Sequence, residues 1–127
     1  RVAAIIIKDK KILLVTGYDE KFYWTPGGKV EGEESHENCL KRELFAELGI
    51  EPISMKHYVS FTLPNEIKGG EQKNHYYLVQ YKGEIKPGEE VTKTFWYSKQ
   101  NFLDKNPRVS KGIEEHLIPK LIEDKYL

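Results

Sequence analysis

The sequence predicts an α/β protein: a sandwich in which a mixed, twisted β-sheet lies between helices. Two patterns carry that reading. Strand-like apolar runs flank one acidic helix on both sides, and a second helical pattern closes the chain. With 127 residues there is length for one hydrophobic core, so a single domain over residues 1–127 is expected.

Taken in order, residues 2–7 form an unbroken apolar run rich in β-branched side chains, which reads as a buried strand. A polar turn over residues 8–11 leads to a second strand at 12–15, and the two suggest a hairpin. Residues 17–21 are a polar loop and 22–25 a short extended segment. Residues 34–48 contain neither Pro nor Gly, place Leu40, Leu44 and Leu48 on one stripe, and stop at Gly49, a good left-handed cap. Strands follow at 53–63, 75–81 and 91–98, separated by a glycine-containing loop at 64–73 and a turn at Pro87-Gly88. A short helix is expected at 99–105. A terminal one is expected at 113–126, with Leu117, Leu121 and Ile122 on its buried side and Pro119 bending it or shifting its start.

Composition excludes several function classes. The 20 basic and 20 acidic residues balance, and the lysines are dispersed, so no nucleic-acid partner is expected. No apolar run approaches membrane-spanning length and no signal-peptide pattern opens the chain, so no membrane partner is expected. The lone Cys39 cannot form an internal disulfide and reads as a packing residue, compatible with a reducing cytoplasm.

The chemistry concentrates in the acidic helix. Glu43 and Glu47 are four residues apart, so their carboxylates share a helix face and repel. A divalent cation beside them would reverse that penalty, and hard oxygen ligands suit Mg²⁺ or Mn²⁺. The bland alternative is a solvated acidic face. Against it stands the preceding turn, Thr25-Pro26-Gly27-Gly28, whose glycines allow close backbone approach to the helix and to a ligand.

Residues 28–50, GKVEGEESHENCLKRELFAELGI, resemble the Nudix signature G-x5-E-x7-R-E-U-x-E-E-x-G-U, where U is aliphatic. The match holds at Gly28, Glu34, Arg42, Glu43, Leu44, Glu47, Gly49 and Ile50; Ala46 stands where the signature has the first Glu of its pair. The resemblance implies the Nudix fold and a divalent-metal-dependent pyrophosphohydrolase, which splits a diphosphate in a nucleoside diphosphate linked to a group X. The small size is similar to the MutT-like nucleoside triphosphate branch. By the same resemblance Glu47 and Glu43 are metal ligands, with the carbonyl of Gly27 or Gly28 as a backbone ligand. Glu43 alternatively positions or deprotonates water, and Arg42 holds Glu34 or Glu43 in place. A further acid before the Trp-bearing strand falls at Glu89 or Glu90, as ligand, general base or mere surface charge; Glu66 and Glu71 are weaker candidates. Gly28, Trp24 and Tyr23 are the candidate substrate contacts. Tyr76, Tyr77 and Trp96 could also stack a base, although sheet strands favour aromatics anyway. The four histidines show no metal-ligand spacing.

Ala46 opens three outcomes: a slower enzyme, an enzyme that uses Glu43 or a loop glutamate instead, or a domain that binds a nucleotide without cutting it. The implied partner is a small nucleotide, and the assembly a monomer or homodimer.

Overall fold

The computed structural model describes all residues of 1–127 except Tyr18, Glu66, Ile67 and Glu89. The apolar opening run forms β1 (Val2–Ile5) and continues, after Ile6, into the short β2 (Ile7–Lys8). Strand β3 (Lys11–Gly17) and the two-residue β4 (Gly27–Gly28) precede helix α1 (His36–Leu48). After it come β5 (Glu51–Pro64), β6 (Glu71–Lys82), β7 (Val91–Ser98) and α2 (Lys99–Asp104). A π-helical turn (Ile113–Leu117) running into α3 (Ile118–Glu123) ends the chain's regular structure.

The strands form two sheets, ordered β4-β1-β6-β5 and β2-β3-β7. The first is mixed, because β1 pairs parallel with β6 (Val2 opposite His75) and antiparallel with β4 (Ala3 opposite Gly27). Only Ile7 and Lys8 join the expected hairpin, opposite Ile12 and Lys11; residues 2–5 enter the other sheet instead. The unbroken apolar run reflects this position. Val2, Ala4 and Ile6 pack with Leu40, Leu44 and Leu48 of α1. Ala3 and Ile5 point the other way, to Tyr76, Leu117 and Leu121 beneath the terminal helical segment. A strand buried on both faces needs no polar alternation.

Helix α1 starts two residues later than its sequence pattern suggests. Ser35 is the N-cap, its hydroxyl accepting from the Asn38 N–H at 3.1 Å. At the other end Gly49 adopts φ 68°, and its N–H satisfies the Leu44 and Phe45 carbonyls. Strands β5 and β6 run to Pro64 and from Glu71, so the expected 64–73 loop is shorter. Pro119 falls in the first turn of α3, directly after the π-helical turn in which the Ile118 N–H donates to the Ile113 carbonyl, so the helical path runs through the proline.

Candidate active site

The diglycine turn and α1 are locked together atom by atom. Gly27 lies against β1 so closely that a Cβ there would come within 2.1 Å of the Val2 carbonyl. A Cβ on Gly28 would fall 2.4 Å from Cδ of Glu43. Glycine at position 27 is therefore a packing requirement, and at position 28 it lets the Glu43 carboxylate sit against the turn. The Gly27 N–H donates to Oε1 of Glu47 at 3.3 Å. The Gly28 carbonyl sits 3.7 Å from the Cys39 sulfur. Burial pushes the Cys39 thiol up to about 11, as befits a packing residue.

Arg42 organises the other side of the helix. Its guanidinium donates to both oxygens of Glu34, at 2.6 and 3.2 Å, and to Oε1 of Glu43 at 2.6 Å. Those hydrogen bonds, Arg42's foremost, hold the Glu34 carboxyl down to about 2. With Arg42 engaged in this way, Glu47 lacks an adjacent counter-charge. Burial above all, then hydrogen bonding to and repulsion by Glu43, push its carboxyl up to about 8. The positive charge of Arg1 and the Gly27 N–H oppose the rise without cancelling it.

Glu43 and Glu47 open onto a cleft of about 850 Å³. Gly27, Gly28, Trp24 and Glu90 line the same cleft, as does Glu71 from the start of β6. Glu66 and Glu89 lie outside the described residues. Among the described residues no third His, Cys, Asp or Glu completes a metal-holding group with the carboxylate pair. Tyr23 is turned away. Extended residues alternate, so Phe22 and Trp24 border the cleft while Tyr23 packs on Phe95 with ring centres 5.7 Å apart. Tyr76 borders the cleft, whereas Tyr77 and Trp96 pack against the α1 side of the core. Ala46 does not line the cleft. The loop ending at Glu90 passes over the helix there, with the Gly88 N–H donating to the Glu47 carbonyl at 2.9 Å.

Sequence reasoning missed Arg1, Phe22 and Asn74 among the cleft residues. Period-two alternation from Trp24 could have found Phe22. Arg1 and Asn74 arrive through the β1–β6 pairing, which carries no local signature.

A NUDIX domain model matches residues 1–119. The chain therefore belongs to the Nudix family, in its MutT-like form. The ORF135 protein of E. coli, solved in solution, is 30% identical over 98% of this chain and 90% of its own, with a TM-score of 0.72. A CTP pyrophosphohydrolase of Escherichia coli K12 is 52% identical over 54 residues, which is 39% of this chain and 40% of that protein. A MutT NUDIX hydrolase from Burkholderia pseudomallei shares the fold at 24% identity, covering 87% of this chain and 88% of its own with a TM-score of 0.72.

Proposed function

We propose that the protein is a divalent-cation-dependent pyrophosphohydrolase that converts a nucleoside triphosphate and water into a nucleoside monophosphate and pyrophosphate. The observation that carries this reading is the pair Glu43 and Glu47, held together beneath the Gly27–Gly28 turn, with Glu47 pushed up to about 8. Two carboxylates held close, of which only Glu43 has a guanidinium bonded to it, fit a hard cation. Glu47 and Glu43 would hold Mg²⁺, or Mn²⁺ in its place, together with the Gly28 carbonyl; Glu90 lines the same cleft without completing a metal-holding group with the pair, and Glu89 lies outside the described residues. Such a cation supplies charge neutralisation of the diphosphate and Lewis acidity.

The chain's own groups do the rest. Lys29, Lys68, Lys73 and Arg1 border the cleft and favour the approach of a polyanion. Trp24 offers an aromatic face to a base, and stacking of this kind contributes about 1–3 kcal/mol. Glu43, fixed by Arg42, orients the attacking water or takes its proton; Glu90 and Glu71 are other carboxylates that line the cleft. The E. coli CTP pyrophosphohydrolase makes CTP the first substrate to try. Among the described residues no helix is long and apolar enough to cross a membrane. The single buried Cys39 suits the reducing cytoplasm in which we place the protein, as a monomer or homodimer.

A second reading, a nucleotide-binding module without turnover, draws on Ala46 and the absence of a third metal-holding group among the described residues. A panel of nucleoside triphosphates with Mg²⁺, followed by monophosphate and pyrophosphate release, separates the two. Glu43→Gln is expected to lower kcat at least about tenfold, set against the ~10²–10⁴ that a positioned acid–base group typically supplies. Stabilisation by nucleotides without product from any of them would favour the module.

A further inference from the structure

Strand β7 does not enter its pairing with β3 evenly. Lys93 lies opposite Thr16 and Val91 opposite Gly17, so Thr92 is an extra residue, a β-bulge at the start of the strand. A bulge bends its strand and re-aims the residues beside it. Here those residues are Val91 and Glu90, and both line the cleft. The Glu90 backbone is fixed from two sides. On one side the Val91 N–H donates to the Gly88 carbonyl at 3.1 Å, and the Gly88 N–H to the Glu47 carbonyl at 2.9 Å, which ties the turn to α1 at the acid pair. On the other it rests against the end of β3, where a Cβ on Gly17 would come within 2.0 Å of the Glu90 carbonyl oxygen.

The bulge is in turn held by Glu20. The Thr92 hydroxyl donates to Oε2 of Glu20 at 2.6 Å, and Oε1 of Glu20 pairs with Nζ of Lys93 at 3.0 Å. The Glu20 N–H closes back on the Gly17 carbonyl at 2.8 Å. Glu20 does this with φ at 56°, in the left-handed region that suits glycine or asparagine better than glutamate. A residue persists in such a conformation where its surroundings over-determine it, and here the carboxylate bridging Thr92 and Lys93 does so. Neither Glu20 nor Thr92 lines the cleft, so an effect of either on turnover has to pass through the turn they hold.

We propose, resting on the pyrophosphohydrolase reading above, that Glu20 is a positioning residue: through the Thr92 bulge it holds Glu90 in the cleft that Glu43 and Glu47 share. The arrangement spans three elements. The loop after β3 supplies Glu20, the bulge of β7 supplies Thr92, and the turn anchored on α1 carries Glu90. Without the Glu20 contact the bulge loses its only charged acceptor among the described residues, and the turn keeps the helix anchor alone. Glu90 then samples several positions, and a carboxylate displaced by an ångström loses most of its effect on a reaction.

Turnover of CTP, UTP, ATP and GTP with Mg²⁺ is measured for the wild type, Glu20→Asn, Thr92→Val, Thr92→Ser and Glu90→Gln, each checked by thermal melting. Asparagine suits the left-handed backbone but is shorter and uncharged; valine keeps the shape of threonine without its hydroxyl. Glu20→Asn and Thr92→Val are expected to lower kcat at least about fivefold with KM little changed, and Thr92→Ser to stay near the wild type. In a Glu90→Gln background Thr92→Val should cost nothing further, because the group it places is already gone. Amide exchange followed by NMR gives a readout independent of activity. The Gly88 and Val91 N–H groups should exchange faster in Glu20→Asn and Thr92→Val, while the His75 N–H, bonded to the Arg1 carbonyl at 2.9 Å, stays as protected as in the wild type. Equal losses from Thr92→Val in both backgrounds, full turnover in Glu90→Gln, or unchanged exchange at Gly88 and Val91 each overturn the positioning role and leave the pyrophosphohydrolase reading intact. If the wild type cuts none of the four nucleotides, that reading falls and the assignment with it.

Discussion

Glu47→Gln should cost the protein its turnover and make the metal-free fold more stable. Glutamine is nearly isosteric, keeps an oxygen for the Gly27 N–H, and mimics the protonated acid. The native carboxyl titrates near 8, against 4.5 for the ordinary group. Between those values the folded state holds a proton that the unfolded chain has lost. Stability from this group is therefore full below pH 4.5, declines as pH rises, and is gone above 8. At about 1.4 kcal/mol for each pH unit of displacement, the ionised carboxylate costs the folded state on the order of 4–5 kcal/mol. Glutamine still buries a polar amide, so the variant recovers only part of this, on the order of 2–3 kcal/mol. For a domain of this size that corresponds to roughly 6–15 °C in Tm. The assay is thermal unfolding in EDTA at pH 5 and pH 9: the two proteins should melt together at pH 5, with the variant well above the wild type at pH 9. Millimolar Mg²⁺ should then close the gap by stabilising the wild type alone. If the wild type loses no more stability than the variant between the two pH values, the carboxylate pair is not strained, and the main physical support for a cation there disappears.

The remaining expectations concern the turn and the departure from the signature. Gly28→Ala places a Cβ 2.4 Å from Cδ of Glu43, so the carboxylate must move; kcat should fall while the circular dichroism of the fold is unchanged, and full activity would show that Glu43 need not sit against the turn. Ala46→Glu adds an acid one residue from Glu47 and under the Gly88 loop. The metal-free variant should be slightly less stable, and its Mg²⁺ affinity higher by titration calorimetry. Unchanged affinity would mean that a side chain at this position does not reach the carboxylate pair.

The acidic helix was legible because its determinants are local. Leu40, Leu44 and Leu48 fix its buried stripe, and Gly49 fixes its end. Glu34, Arg42 and Glu43 lie within nine residues and meet through helix geometry and a short turn. The late start at Ser35 was missed because Glu34, which fits a helical pattern, is drawn out of it by Arg42. Elsewhere the decisive contacts are between segments far apart in the chain. Whether residues 2–5 join the hairpin or the other sheet depends on a parallel partner in β6, more than seventy residues away. That pairing carries Arg1 and Asn74 to the cleft, and neither position shows any local pattern to mark it. The aromatic run at 22–24 shows the division most plainly. Trp24 and Tyr23 were equal candidates for substrate contact, but the pairing of Trp24 with Val15 and Tyr23 with Val109 decided which borders the cleft. The sequence by itself determined the family, the α/β architecture and the acidic pair, because these are written in spacings of a turn or two. Tertiary structure alone decided what surrounds that pair, because pairing between distant strands is set by the burial of whole faces and not by any one residue's neighbours.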